Sequence, residues 1–295
     1  MYDISALFEA KTVQEAVDLL TAHPDAIIIA GGSDVLIKIR EGRLAGCKLV
    51  SIYGIDEMRG VKMEDDGTIR IGSLTSFSHI HADPVIKEHV PVLGEAVNMV
   101  GGPQIRAIGT IGGNTCNGVT SADSASTLFA YDAVLEITGP DGKRLVPISE
   151  FYTGPGRVAL KTGELQTAVL IRKESYEGYH GCYIKYGMRN AMEIATTGCS
   201  VNVKLSEDKK TISDIRIGYG VAAPTPIRAR SAEAKIKGLP VSPDTRALLG
   251  EAVLEDVTPR DSWRASKDFR LHLCSTMAMR AFTGAVRRAG GEIDD

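Results

Sequence analysis

Two glycine pairs constrain the fold of this 295-residue chain more than any other feature. The first lies in Ala30-Gly31-Gly32-Ser33, and the second lies 81 residues later in Thr110-Ile111-Gly112-Gly113-Asn114. A glycine pair can adopt positive φ and presents backbone N–H groups with no Cβ in front of them. Two such loops could hold the pyrophosphate of a dinucleotide from two sides. A single glycine pair is more often a tight turn at the end of a strand, and that alternative stays open.

The sequence around the first pair predicts a helix, a strand and a second helix. Thr12 and Glu15 have the capping-box spacing, and apolar residues then recur at helical intervals over residues 12–22, before Pro24 ends the pattern. Residues 26–30 form a short branched apolar run that is typical of a strand. Ser33 is predicted to cap the next helix. The glycine pair therefore lies in a strand-to-helix turn.

Hairpins and a change of pattern divide the rest of the chain. Asp66-Gly67 and Asp141-Gly142 predict two hairpin turns. A polar segment over residues 172–181 precedes two long predicted strands at 199–205 and 212–220, and a final helix is predicted over 268–288. We therefore predict one domain over residues 1–176 and a second over 177–295.

Composition and motif searches exclude several functional classes. The 34 Lys and Arg nearly balance the 37 Asp and Glu, so nothing indicates a nucleic-acid or anionic-membrane partner. No basic leader and no apolar run of membrane-spanning length are present, which favours a cytoplasmic protein. The five cysteines include no CxxC pair, so we predict no metal or iron–sulfur site on this chain. Neither a P-loop nor a GxSxG motif occurs, and the Gly154-Pro155-Gly156 string is interpreted as a turn.

The glycine loops resemble those of a known family. Ile28-Ile29-Ala30-Gly31-Gly32-Ser33-Asp34 and Gly109-Thr110-Ile111-Gly112-Gly113-Asn114 are similar to the two FAD loops of the molybdenum-hydroxylase flavoproteins. Segments 102–106, 118–124, 163–165, 185–189 and 262–266 match that family in the same order. Within it, the strings GPQIR, NGVTSADSA, TGPG, GVAAPTPIR and SWRASKDFRLHL resemble the FAD-binding (medium) subunit of bacterial xanthine dehydrogenases. The resemblance covers essentially the whole chain.

This resemblance implies an α+β fold. A two-part FAD-binding domain of the p-cresol methylhydroxylase type would occupy residues 1–176. A C-terminal domain of antiparallel sheet plus helices would occupy residues 177–295.

The resemblance also implies the binding residues. Both glycine loops would hold the FAD pyrophosphate, mostly through backbone amides. Asp123 would contact FAD, although a helix N-cap is an equally good interpretation of this residue. Leu165 would pack on the flavin ring, with an ordinary core position as the alternative. Lys185 would lie near the isoalloxazine, where a cation stabilises the reduced, anionic flavin, and a solvated strand lysine is its alternative.

The implied activity is electron transfer. The subunit would take electrons from an iron–sulfur subunit, which receives them from a molybdenum-cofactor subunit, and would reduce NAD by hydride transfer. No catalytic acid or base on this chain is required. The alternatives are the flavin subunits of carbon monoxide, nicotinate or aldehyde dehydrogenases, a free-standing flavin reductase such as a murein-precursor reductase, and a flavin-free interaction subunit.

Overall fold

The computed structural model describes residues 2–294 and begins with a small parallel sheet. Its elements are β1 (Ile4–Glu9), α1 (Val13–Ala22), β2 (Ile27–Ile29), α2 (Val35–Arg40) and β3 (Cys47–Ser51). The strands lie in the order β1-β3-β2, and both pairings are parallel. At the start of α1, the Thr12 side chain accepts the Glu15 N–H at 3.1 Å, while the Glu15 carboxylate accepts the Lys11 N–H at 2.7 Å. The Thr12 cap and the strand–glycine–helix order are confirmed, whereas the Glu15 carboxylate binds the N–H of Lys11, one residue before the position that a capping box uses.

The predicted cap of the second helix is wrong. Helix α2 begins at Val35, and Asp34, not Ser33, precedes it without a side-chain capping bond. Gly32 already turns the chain with a φ of +74°, and its carbonyl accepts the Leu36 N–H at 3.0 Å. The winding therefore starts before Ser33 can act as a cap.

A five-stranded antiparallel sheet and a group of short helices follow. In chain order these elements are β4 (Val61–Met63), β5 (Ile69–Gly72), α3 (Phe77–Ala82), α4 (Pro84–His89), α5 (Pro91–Asn98), α6 (Pro103–Ile108), α7 (Ile111–Cys116), α8 (Asp123–Ala130), β6 (Val134–Gly139), β7 (Gly142–Pro147), α9 (Ile148–Phe151), β8 (Tyr152–Gly154), β9 (Arg157–Val158), β10 (Leu165–Ile171) and α10 (Lys173–Tyr176). The sheet order is β4-β5-β10-β6-β7, and β8 pairs only with β9. The two predicted hairpins join β4 to β5 and β6 to β7, and the Gly154-Pro155-Gly156 turn joins β8 to β9.

The C-terminal part is an antiparallel sheet covered by helices. Its elements are β11 (His180–Tyr186), β12 (Thr197–Leu205), β13 (Ile212–Gly220), β14 (Ile227–Arg228), α11 (Arg230–Ile236), α12 (Pro243–Ala252) and α13 (Lys267–Arg288), and the strands pair in chain order. The two predicted long strands and the final helix are confirmed as β12, β13 and α13. Two short 3₁₀ turns, Asp56–Met58 and Val253–Glu255, complete the described elements.

The part from β1 to α10 and the C-terminal part from β11 to α13 pack directly on each other. Helix α8 lies against β13, and the closest approach is at Gly218, where a Cβ would lie 2.0 Å from the Ser126 carbonyl oxygen. Each sheet also has its own buried apolar cluster. The α+β class is confirmed, with mixed elements in the first part and antiparallel strands plus helices in the second. The division after residue 176 stays a prediction.

Replacing Gly218 with Ala should destabilise the protein by about 1–3 kcal/mol, because the new methyl group would overlap the backbone of α8. Chemical denaturation of the purified chain measures this free energy of unfolding. Gly154→Ala is the matched control, since the nearest heavy atom to a Cβ there is 3.9 Å away. Equal unfolding free energies for the two variants would contradict the close packing of α8 on β13.

Candidate functional site

A cleft of about 530 Å³ lies where the parallel sheet, the five-stranded sheet and helix α7 meet. Both glycine loops line it, and so does the start of β10. Its volume is in the range of small-molecule and cofactor sites. The cleft-lining residues that the sequence predicted are Ile28, Ala30, Gly31, Gly32, Ser33, Asp34, Gly109, Thr110, Gly112, Gly113, Asn114 and Leu165.

Four predicted site residues lie outside the lining. Ile29 is the last residue of β2, and it does not line the cleft, whereas Ile28 does. Ile111 is fully buried in the core beneath the five-stranded sheet. Asp123 and Lys185 lie behind the cleft wall and are described below.

The first glycine loop supplies unpaired backbone donors. None of the amides from Gly31 to Asp34 donates a hydrogen bond to another atom of residues 2–294. Of the four glycines in the two pairs, only Gly32 has positive φ. Gly31 is required for a different reason: a Cβ there would lie 2.0 Å from the Ile108 carbonyl oxygen.

The second glycine loop differs from the first in how its amides are bonded, and its predicted contact with FAD stays a prediction. Three of its amides are already used inside the protein: Gly112 donates to the Ser73 carbonyl at 2.9 Å, Gly113 to the Thr110 hydroxyl at 3.1 Å, and Asn114 to the Thr110 carbonyl at 3.0 Å. A Cβ on Gly112 would lie 2.6 Å from the Ser73 Cβ. The backbone from Gly112 to Asn114 therefore forms a closely packed wall. Within this loop, only the Thr110 amide lacks an acceptor among residues 2–294.

Lys38 places a positive charge in the cleft. This residue lies on α2, lines the cleft, and donates from Nζ to the Asn117 side-chain oxygen at 2.9 Å. The bond joins α2, which follows the first glycine loop, to the C-terminal end of α7, which starts in the second loop. Sequence reasoning missed Lys38, because a lysine in the last turn of a helix is normally a solvated residue with favourable helix-dipole placement.

Two buried polar groups in the cleft have no protein partner. They are the Ser73 hydroxyl and the Gln166 side-chain nitrogen, and both residues line the cleft. Buried polar groups in native proteins are nearly always hydrogen-bonded, so an unpaired pair in one cleft indicates a ligand that completes them. Sequence reasoning also missed this pair, although a glutamine in the otherwise buried strand LQTAVLI was a usable signal.

Lys185 and Asp123 form a buried ion pair beside the cleft. Lys185 Nζ lies 2.8 Å from the Asp123 carboxylate, and the two side chains are 9% and 7% exposed. The lysine also donates to the Met99 carbonyl at 3.0 Å and to the Glu193 carbonyl at 2.8 Å, which occupies all three of its N–H donors. The alternative of a solvated strand lysine is therefore wrong.

Asp123 is also not a helix N-cap. Ala122 precedes α8 in the cap position, and the Asp123 carboxylate accepts from Lys185 and from the Tyr183 hydroxyl, the latter at 3.0 Å. Burial raises the pKa of Asp123, while the neighbouring Lys185 cation acts in the opposite direction. The pair carries no net charge when both groups are ionised.

Residues next to the ion pair connect it to the cleft wall. Ser124, the residue after Asp123, donates to the side-chain oxygen of Asn114 at 2.7 Å, and Asn114 lines the cleft. Met99, which accepts from Lys185, precedes the cleft-lining Val100. Leu165 lies on another part of the wall and packs in the apolar cluster of α1. The predicted contact of Leu165 with the flavin ring stays a prediction.

Together these groups fit an elongated ligand with phosphate oxygens. The first loop offers amide donors, Lys38 offers a cation, and Gln166 and Ser73 offer buried hydrogen-bonding groups.

Within residues 2–294, no three His, Cys, Asp or Glu side chains are grouped so that they could hold a metal ion. In the same part of the chain, no helix combines the length and the apolar character needed to span a membrane.

Two protein families match successive parts of the chain. Residues 3–172 match the FAD-binding domain in molybdopterin dehydrogenase, and residues 182–285 match the C-terminal domain of the CO dehydrogenase flavoprotein.

Individual relatives cover nearly the whole chain. A putative xanthine dehydrogenase FAD-binding subunit of Escherichia coli K12 is 43% identical over 99% of this chain and 100% of its own length. The nicotinate dehydrogenase FAD-subunit of Eubacterium barkeri is 31% identical over 81% of both chains. Among solved structures, a carbon monoxide dehydrogenase from Hydrogenophaga pseudoflava superposes with a TM-score of 0.92 at 28% identity, covering 98% of this chain and 99% of that chain.

The predicted cofactor and family are confirmed by these matches. The cleft and its two glycine loops lie inside the matched FAD-binding domain. The chain belongs to the FAD-binding subunits of the molybdopterin-dependent dehydrogenases, in the xanthine dehydrogenase FAD-subunit family.

Proposed function

We propose that this chain is the electron-transfer subunit of a xanthine dehydrogenase-type molybdenum hydroxylase, with NAD as its electron acceptor. The observation that carries the proposal is the 43% identity over 99% of the chain to xanthine dehydrogenase FAD-binding subunits of two Escherichia coli strains. The carbon monoxide and nicotinate dehydrogenase relatives are more distant, at 29% and 31% identity. These values favour the xanthine dehydrogenase type over the other molybdenum hydroxylases.

The partners in this proposal are an iron–sulfur subunit and a molybdenum-cofactor subunit. The five cysteines of this chain are free, and they include no grouped ligands among the described residues. Iron–sulfur clusters are held by sets of cysteine thiolates, so the clusters that deliver electrons would lie on another chain. We also propose a cytoplasmic location and the domain division at residues 176 and 177.

The cleft is the proposed FAD site. Bound FAD would accept electrons singly and release them in pairs as hydride, which is the conversion that NAD requires. The amides of Gly31–Asp34 and the Lys38 ammonium would hold the pyrophosphate. The packed loop at 109–114 would form the opposite wall and keep the distance between the two loops fixed.

The Lys185–Asp123 pair is the proposed electrostatic neighbour of the flavin. Because its two charges cancel, the intact pair would have little effect on the reduction potential of the flavin. Its three hydrogen bonds instead hold together α5, α8 and the segment before β12. We therefore modify the expectation that Lys185 acts as an isolated cation. Replacing Lys185 with a neutral residue would leave the negative charge of Asp123 without a compensating cation.

The variant Lys185→Met should retain FAD but change how its reduction potential depends on pH. Asp123 has a raised pKa in the native protein, and removing the lysine removes the main influence that opposes burial. Below the pKa of the unpaired Asp123 the carboxyl is neutral, and the potential should match the wild type. Above it, an uncompensated carboxylate should disfavour the reduced flavin and lower the potential. Potentiometric titrations of both proteins at a series of pH values measure the difference.

The double variant Asp123→Asn, Lys185→Met is the matched control. It has neither charge, so its potential should follow the wild type at every pH. If the single and double variants showed the same potentials throughout, the ion pair would be too far from the flavin for the proposed effect.

The isolated chain, loaded with FAD, should oxidise NADH with an artificial dye but should not hydroxylate xanthine. Dye reduction needs only the flavin and a docking position for the nicotinamide, whereas hydroxylation needs the molybdenum centre of a partner. Steady-state assays of the lone chain and of the assembled complex separate the two activities, with FAD-stripped chain as the blank. Xanthine turnover by the lone chain would overturn the assignment, and a lone chain without NADH oxidation would remove NAD as the acceptor.

A further inference from the structure

We propose that Gln166 is a cofactor-positioning residue, whose side-chain nitrogen donates a hydrogen bond to an acceptor oxygen of FAD. The proposal rests on the cleft being the FAD site. It concerns a residue outside both glycine loops and outside the Lys185–Asp123 pair.

One end of the Gln166 amide is fixed by the protein. The residue is only 3% exposed, and its oxygen accepts from the Thr115 hydroxyl at 2.7 Å and from the Cys116 thiol at 3.3 Å. Thr115 and Cys116 form the last turn of α7, the helix that starts in the second glycine loop. Since the oxygen binds to α7, the nitrogen at the other end of the same planar amide is left without a partner.

The unpaired nitrogen belongs to the cleft. Gln166 is one of the cleft-lining residues, and so is Ser73, whose buried hydroxyl is the other unpaired group there. The two are close across the sheet, because the Ser73 N–H donates to the carbonyl of Thr167, the residue after Gln166, at 3.0 Å. A buried donor with no partner destabilises a protein unless a ligand satisfies it. Both unpaired groups therefore belong to residues that line the same cleft, on neighbouring strands.

The ligand chemistry is that of an oxygen acceptor. In FAD the acceptor oxygens are the phosphate oxygens, the hydroxyls of the ribityl chain and of the adenosine ribose, and the carbonyl oxygens of the flavin ring. A bond to a charged phosphate would be stronger than a bond to a neutral oxygen. Binding of ADP, which has the pyrophosphate and no flavin, and of FMN, which has the flavin and one phosphate, distinguishes the two halves of the cofactor.

Asn202 supplies a matched control within the same chain. It is 0% exposed, and both polar atoms of its amide are unpaired, yet it lies on β12 and does not line the cleft. Removing this amide tests the effect of any buried, unpaired amide on folding. It should not change the affinity for FAD.

The first test compares Gln166→Leu with Asn202→Ala. The dissociation constant for FAD should rise about tenfold in Gln166→Leu, because one hydrogen bond to the ligand is lost, and should stay unchanged in Asn202→Ala. Without FAD, the loss of melting temperature in Gln166→Leu should be no larger than the loss in Asn202→Ala. Adding FAD should raise the melting temperature of Gln166→Leu by less than it raises that of the wild type. Fluorescence titration and thermal unfolding measure these quantities.

The second test uses Gln166→Glu. A protonated carboxyl can keep the contact to α7 and still donate, whereas an ionised carboxylate has no donor and repels phosphate. The dissociation constant for FAD should therefore rise with pH in this variant more than in the wild type. Tighter binding at high pH would show that the amide accepts from the ligand, and it would overturn the assignment of a donor.

The remaining outcomes separate this proposal from the assignment of the cleft. Wild-type affinity in Gln166→Leu, together with a lower melting temperature of the FAD-free protein, would mean that Gln166 only braces α7. In that case the wild type would still bind FAD, and the proposed function would be unaffected. Weaker binding of ADP by Gln166→Leu would locate the contact at the pyrophosphate, and weaker binding of FMN would locate it at the flavin half.

Discussion

The contact of the first glycine loop with the end of α6 is the constraint on which the cleft depends. Gly31 approaches the Ile108 carbonyl so closely that a Cβ there would lie 2.0 Å from its oxygen. Ile108 directly precedes the second glycine loop, so this approach brings the two loops together. The hydrogen bond from Lys38 to Asn117 forms a second link, between the C-terminal ends of α2 and α7. The cleft therefore has a fixed width, and a preorganised site loses less free energy in ordering when the ligand binds.

The second constraint is the packing between the FAD-domain part and the C-terminal part. Lys185 lies on β11, yet its partners are Asp123 on α8, the Met99 carbonyl and the Glu193 carbonyl. Helix α8 also packs on β13 at Gly218. Removing one partner of a buried ion pair strongly destabilises a protein, because the remaining charge is buried without a partner. The electrostatics beside the cleft and the attachment of the C-terminal part therefore depend on the same side chains.

Sequence reasoning predicted the elements well and the chemistry of the site only in part. The Thr12 helix cap, the hairpin turns and the long strands are local signals, and the structure confirms them. Resemblance identified the loops but could not show which amides are free, because that depends on contacts such as Gly112 to Ser73, which are distant in sequence. Lys38 was missed because a lysine in the last turn of a helix is normally solvated, and its place in the cleft depends on the packing of α2 against α7. Gln166 did have a local signal, as a glutamine within a buried strand, but its unpaired nitrogen depends on the contact of β10 with α7. Asp123 and Lys185 were noticed separately, but their pairing across 62 residues was not predicted.

Amide-resolved hydrogen exchange, with and without FAD, is the most direct test of the cofactor site. The N–H groups from Gly31 to Asp34 have no partner within the described chain, while those of Gly112, Gly113 and Asn114 are already bonded. We predict that FAD strongly slows exchange at the first loop and changes exchange at the second loop much less. Strong FAD-dependent protection confined to the second loop, with unchanged exchange from Gly31 to Asp34, would contradict this prediction.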